Sequence, residues 1–305
     1  MIAFKKILLY FKNPCRIITR HKLKKLKSLG ANFSDEDYLK KMFKIKLGYE
    51  LDFENPKTFN EKMQYLKIHD RKDIYTTMVD KHAVKEYVSS IIGNKHVAKE
   101  IGCWESTNNI DVESLPEKCV LKTTHGCGGM LIYEKGKTNK KQIEDCFNEN
   151  LNSNYYYVCR EWPYKNVKPQ VIAEEFLKDD KYDVLPVYKF FCFNGEPYIA
   201  QVIQNDKHDN ETIDYVDMDY NFLKLKQNYP NSKKKNRMPK PNCFDDMKNI
   251  AKSLTKNIPF VRCDLYVVNE QIYFSEFTFF SDAGFEKFHP KKWDKILGDL
   301  IDLSI

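Results

Sequence analysis

Two pairs of polar residues interrupt apolar sequence near the C-terminus, Arg262-x-Asp264 and Glu276-x-Thr278, within FVRCDLYVVNEQIYFSEFTFF at 260–280. Side chains alternate across a strand, so the members of each pair share one face. A three-residue loop at Asn269, Glu270 and Gln271 makes this segment a hairpin in which Arg262 faces Thr278 and Asp264 faces Glu276. The opposite face then carries Val261, Cys263, Leu265, Val267, Phe277 and Phe279, a core pattern. Facing Cβ atoms in such a ladder lie about 4.5–5.5 Å apart. Two carboxylates at ~5 Å repel by about 3 kcal/mol at an effective dielectric near 20, so a positive group is expected between them. A hard cation such as Mg²⁺ takes carboxylate oxygens and completes its shell with phosphate and water. The alternative is a solvated hairpin face with unpaired acids.

Further upstream, Lys122 stands in the apolar run CVLKT directly before Thr124-His125-Gly126-Cys127-Gly128-Gly129. A glycine-rich turn between strands can present successive backbone N–H groups to a phosphate, and a nearby lysine adds a point charge. The bland reading is a flexible hairpin turn. Lys81 follows Asp80 at the start of a helical pattern, where a lysine reaches either a phosphate or solvent. Glu174-Glu175-Phe176-Leu177 ends another apolar run, an edge where backbone groups could meet a planar base. Lys189 lies on the strand face opposite Phe190 and Cys192 and points to solvent or to a polar cavity. No Walker A loop, HExxH or GxSxG is present, and the seven histidines have no metal-ligand spacing. His125 with Cys127 is the one local candidate for a Cys–His pair.

The elements that must position these residues are legible from periodicity and turn chemistry. Helices are expected over 61–69, with Asn60 as N-cap, and over 76–92, 140–151, 244–257 and 291–303. Strands are expected over 119–123, 130–133, 171–177, 188–193 and 197–203, the last two joined at Asn194-Gly195. The lysine-rich, proline-containing stretch 228–242 reads as a loop.

At 305 residues the chain can form two or three subdomains. Nine cysteines without a CxxC pair argue for reduced thiols in the cytoplasm rather than disulfides or a zinc site. Residues 1–30 hold nine Lys or Arg and no acid, and subtracting these nine from the net +7 leaves −2 on the remainder. That distribution argues against a nucleic-acid partner and suggests a basic amphipathic segment that either touches the anionic cytoplasmic membrane face through Phe4, Ile7, Leu8 and Phe11 or packs as a basic helix on its own protein.

In chain order, these pieces resemble the ATP-grasp nucleotide site, and most closely its TupA-like branch of surface-polysaccharide and teichuronopeptide biosynthesis. The resemblance rests on NPKTFNEKMQYLKIHDR (55–71), VDKHAVKEYV (79–88), VLKTTHGCGG (120–129), REWPYKN (160–166), YKFFCFNGE (188–196), RCDLY (262–266), EFTFF (276–280) and WDKILGDLI (293–301), and covers roughly 55–303. It implies an α+β ATP-grasp fold with ATP bound between two α+β subdomains, preceded by a helical N-terminal region. The divisions expected are 1–54, a basic amphipathic region; 55–118, a pre-ATP-grasp region; 119–175, a central subdomain with the glycine-rich lid; and 176–305, a C-terminal subdomain with the metal site.

The resemblance also implies residue roles. Lys81 and Lys122 would lie near the phosphates, with Gly126, Gly128 and Gly129 in the lid. Glu175, Phe176 and Leu177 would frame the adenine, with Glu174 or Asp183 on the sugar. Asp264, Glu276 and Thr278 would hold Mg²⁺, while Arg262 and Lys189 would act on the transferring phosphoryl group. Many ATP-grasp chains carry Asn where this one has Thr278, which offers only a hydroxyl. Arg160, Ser281, Asp282 and Gly284 are acceptor-side candidates. The implied activity is an Mg·ATP-dependent carboxylate–amine ligase joining an amino acid or other amine to a sugar carboxylate. A small-molecule kinase, a glycosyltransferase and a non-catalytic scaffold are the alternatives.

Overall fold

The computed structural model describes residues 14–304, so the membrane-facing side chains expected at Phe4 to Phe11 lie outside the described residues. The N-terminal part is helical: α1 (Pro14–Ser28), α2 (Asp35–Leu47), α3 (Phe59–His69), α4 (Ile74–Val79) and α5 (Ala83–Ile92). Ser34 caps α2 by accepting from the Asp37 N–H, and Gly48 closes it in the left-handed region at φ +88°. The expected Asn60 cap is corrected to Thr58. Its hydroxyl accepts from the Glu61 N–H while the Glu61 carboxylate accepts from the Thr58 N–H, a reciprocal capping box.

The single helix expected over 76–92 is two helices. Asp80 leaves helical geometry, and its carboxylate accepts from the His82 N–H at 2.9 Å to start α5. That break sets Lys81 at a junction rather than in mid-helix.

Two antiparallel sheets follow. The smaller has the order β1-β4-β2-β3, from β1 (Glu100–Trp104), β2 (Lys118–Thr123), β3 (Met130–Glu134) and β4 (Val171–Glu175), with α6 (Lys140–Leu151) packed on it. β1 falls in the 55–118 stretch, yet it pairs with β4, so this sheet begins at Glu100. The short α7 (Tyr156–Cys159) precedes β4. The larger sheet has the order β7-β6-β5-β8-β9, from β5 (Val187–Phe193), β6 (Glu196–Gln204), β7 (Thr212–Asp217), β8 (Phe260–Val268) and β9 (Gln271–Thr278). Its core face packs α8 (Phe244–Leu254), whose Phe244, Met247, Ala251 and Leu254 are buried. The chain closes with α9 (Lys292–Asp299) against α3. No helix among the described residues is long and apolar enough to cross a membrane.

The register of the β8–β9 hairpin pairs Arg262 with Thr278 and Asp264 with Glu276, as expected, but by a different route. The turn is the two residues Asn269 and Glu270, both at positive φ, and Ser275 is an extra bulged residue in β9. A shorter turn and a bulge together restore the alignment that a three-residue loop alone would give.

Candidate active site

Between the two sheets lies a cavity of about 290 Å³, walled by β2, β3 and β4 on one side and by the β8–β9 hairpin on the other. The expected residues Lys81, Lys122, Glu174, Glu175, Phe176, Leu177 and Asp183 all line it. Lys85, Asp206, Lys207, His208, Tyr266 and Ser275 line it as well and were not anticipated from sequence. Lys85 carried a usable signal, because it stands one helical turn after Lys81.

Both Glu174 oxygens are engaged by lysines, Lys122 Nζ at 2.6 Å and Lys85 Nζ at 2.7 Å. Burial alone would raise this carboxyl, but the two ammonium groups hold it below its ordinary value. The Lys122 ammonium ends above its ordinary value because Glu174 outweighs the cost of burial. Glu174 therefore positions two cations. Lys81 donates to the Gly126 carbonyl at 2.7 Å, and burial pushes its ammonium down.

The glycine loop is anchored at its base. Thr123 donates its N–H to the Gly129 carbonyl and its hydroxyl to the Gly128 carbonyl, both at 3.0 Å. Gly129 sits at φ +62°, and a Cβ there would come within 2.9 Å of the Thr123 methyl, so only glycine closes the loop. Among the described residues, the N–H groups of Gly126 to Gly129 donate to no protein acceptor. That is the state a phosphate cradle requires. His125 Nε2 donates to the Asn150 carbonyl at 2.8 Å, while Cys127 donates to the Tyr155 hydroxyl at 3.2 Å. Among the described residues no hydrogen bond joins His125 to Cys127, and the buried His125 Nδ1 has no partner.

On the larger sheet, successive pairings set Tyr215, Gln201, Lys189, Asp264 and Glu276 in one row across all five strands. Asp264 is buried, and Arg262 grips it with Nε at 2.7 Å and Nη2 at 2.8 Å while Lys189 Nζ lies at 3.2 Å. The positive charge expected beside Asp264 is thus supplied by the protein itself. Arg262 and Lys189 overcome burial and hold the Asp264 carboxyl low. Arg262 also donates to Thr278 Oγ1 and Ser281 Oγ, both at 3.0 Å. Glu276 differs: among the described residues its carboxylate has no hydrogen bond or ion pair, and its charge acts on Lys81 and Lys122 across the cleft. The donors of Glu276, Asp264 and Thr278 are all oxygens, which suits Mg²⁺. Glu276 is the one with its whole coordinating capacity free.

The acceptor-side candidates separate. Ser281, Asp282 and Gly284 form a turn with Asp282 at φ 44°, propped by α3: Gln64 donates to the Gly284 carbonyl at 2.6 Å and buried Lys67 to the Ala283 carbonyl at 2.8 Å. The motif at 55–71 thus buttresses this turn. Arg160 instead joins α2 and α7, with Nε 3.1 Å from Asp35, Nη2 donating to the Gly30 carbonyl at 2.7 Å, and its guanidinium over the Tyr38 ring. Its donors serve the fold.

A family model described as TupA-like ATPgrasp matches residues 61–302. The chain belongs to the TupA-like ATP-grasp family. Among solved structures, this TupA-like chain is similar to the D-alanine–D-alanine ligase of Helicobacter pylori (12% identity, 82% of this chain and 69% of that one, TM-score 0.44). It is similar also to the Bacillus anthracis enzyme complexed with ATP (13%, 66% and 53%, TM-score 0.39) and to the ATP-grasp ligase PsnB (11%, 72% and 59%, TM-score 0.39). The TupA-like chain spans a little over half the length of the Bacillus anthracis ligase it matches. No curated protein matches it.

Proposed function

We propose that this TupA-like chain is an Mg·ATP-dependent carboxylate–amine ligase. In this reading it activates a sugar carboxylate of a surface polysaccharide as an acyl phosphate and delivers it to an amino acid or another amine. The observation that carries the reading is charge facing charge across the cleft: the Glu276 carboxylate, last member of the Lys189–Asp264–Glu276 row, acts on the ammonium groups of Lys81 and Lys122. Bound Mg·ATP would supply a phosphoryl group and the charge that neutralises it.

The protein groups have distinct tasks. Lys81, Lys122 and the unpaired N–H groups of 126–129 hold phosphate oxygens, while Glu174 keeps Lys122 and Lys85 aimed. The adenine lies along Phe176 and Leu177, whose backbone N–H groups donate to no protein acceptor among the described residues. Glu175 has its own N–H committed to the Lys99 carbonyl and its carboxylate to the Lys99 N–H, so it fixes the hinge. Asp183 takes the ribose. Glu276, with Asp264 and Thr278, would hold the metal. Arg262 and Lys189 orient Asp264 and face the moving phosphoryl group. The 281–284 turn meets the acceptor. No protein nucleophile is required, consistent with the separate commitments of His125 and Cys127.

The test is ADP release against a matrix of amino acids and uronic-acid glycosides. Release that needs both a carboxylate and an amine is expected. A phosphorylated product that accumulates stably without amine would replace the ligase with a kinase, and tight binding of a nucleotide sugar with no ATP binding would replace it with a glycosyltransferase.

A further inference from the structure

Outside the nucleotide cleft, His82, Glu100 and Cys103 converge. His82 Nδ1 lies 2.9 and 3.0 Å from the two Glu100 oxygens, and one ligand atom from each of the three residues falls within 4.8 Å of the others. In a regular strand Glu100 and Cys103 would point to opposite faces, because three positions separate them. Here the ladder passes from Glu100↔Glu174 to Gly102↔Ala173, so Ile101 is an extra, bulged residue. The bulge turns Cys103 onto the side of Glu100, toward the α4–α5 junction that carries His82. The Trp104 ring packs closely beside it: a Cβ on Gly102 would come within 2.5 Å of that ring. Asp80, whose carboxylate starts α5, places a further negative charge near the Cys103 sulfur.

We propose that His82, Glu100 and Cys103 form a binding site for a zinc-class divalent cation. One imidazole, one carboxylate and one thiolate make a three-protein-ligand set, with water or Asp80 in the fourth place. Bond lengths of about 2.0–2.3 Å put tetrahedral ligand atoms roughly 3.3–3.8 Å apart, so the thiol need close by no more than about 1.5 Å and the His82–Glu100 contact must open by a few tenths. The half-exposed His82 and partly exposed Glu100 side chains can make that change. A thiolate selects zinc over magnesium, so this site is chemically separate from the all-oxygen set at Glu276. Occupied, it pins the junction holding Lys81 to the edge strand of the smaller sheet.

The experiment uses the full chain without nucleotide. Titration with Co²⁺ as a zinc probe should give a thiolate-to-cobalt charge-transfer band saturating at one equivalent, displaced by Zn²⁺ but not by excess Mg²⁺. Cys103→Ser should abolish the band, and His82→Ala should weaken Zn²⁺ binding at least about tenfold. Cys146→Ser should leave both unchanged. Circular dichroism checks folding, and Glu100→Gln gives a second reading of the affinity loss if the serine variant folds poorly. Absence of a stoichiometric band, or a band that persists in Cys103→Ser, overturns the site. Neither result depends on whether the protein proves to be a ligase.

Discussion

The two carboxylates of the proposed metal site should respond differently to neutralisation. Asp264 is 1% exposed and accepts two charge-assisted bonds from Arg262, with Lys189 at 3.2 Å. Asp264→Asn keeps the shape but presents an NH₂ group to a buried guanidinium, leaving the cation without its partner. Breaking one side of a buried ion pair typically costs about 3–5 kcal/mol. At roughly 2.1 cal/mol/K per residue, a cooperative chain of 305 residues unfolds with an entropy near 0.6 kcal/mol/K, so the midpoint should fall by about 5–8 °C. Glu276→Gln removes a carboxylate with no protein partner and should stay within about 0.5 kcal/mol, or under ~1 °C. Both variants should lose ADP release. Differential scanning calorimetry without nucleotide, beside the turnover assay, checks the contrast. Equal midpoints for the two variants would refute the assignment of a structural duty to Asp264, and full turnover in Glu276→Gln would remove it from the site.

Two further outcomes follow from the charges in the site. Lys122→Met should raise the ATP dissociation constant about 10–100-fold, equivalent to about 1.4–2.8 kcal/mol, while Glu174 keeps its Lys85 partner and the fold; equilibrium binding of a fluorescent ATP analogue measures it. Burial raises the Glu286 carboxyl to about 8 against an unfolded value near 4.3, so the native state keeps a proton that the unfolded chain has lost. That stability is whole below about pH 4.3 and is lost as pH rises toward 8, at up to ~1.4 kcal/mol per pH unit; Glu286→Gln should flatten this slope in thermal midpoints between pH 5 and 8. Asp264, held low, has the opposite sign but acts only below about pH 4, so the two are separable.

Elements whose period and punctuation agree were readable in advance. The helix at Lys140–Leu151, the Asn194-Gly195 turn and the core face of the β8–β9 hairpin all follow from local pattern. The small sheet's edge strand β1 was not, because EIGCW lacks a clean alternation, and neither was β7. The division of α4 from α5 was hidden too: Met78, Val79, Val84 and Val88 keep helical spacing across it, while the Asp80 cap that breaks it looks like any surface acid.

The site was legible in its residue types and less so in its pairings, and the cause is the same in three places. Period-two reasoning assumes one residue opposite one residue, whereas a bulge sets two against one and flips every side chain beyond it. Without the bulge at Tyr198 in β6, Lys189 would face Ala200; with it, Lys189 faces Gln201, and the polar row extends to Tyr215. Without the bulge at Ser275, the observed two-residue turn would set Ser275 opposite Asp264 and send Glu276 to the core face. Without the bulge at Ile101, Cys103 would point to the face opposite Glu100. Each bulge spends ladder regularity to bring a polar side chain onto a shared face. The sequence shows the polar residues but not the extra position that aligns them, so chemistry can be inferred from composition and order while the register that joins it has to be seen.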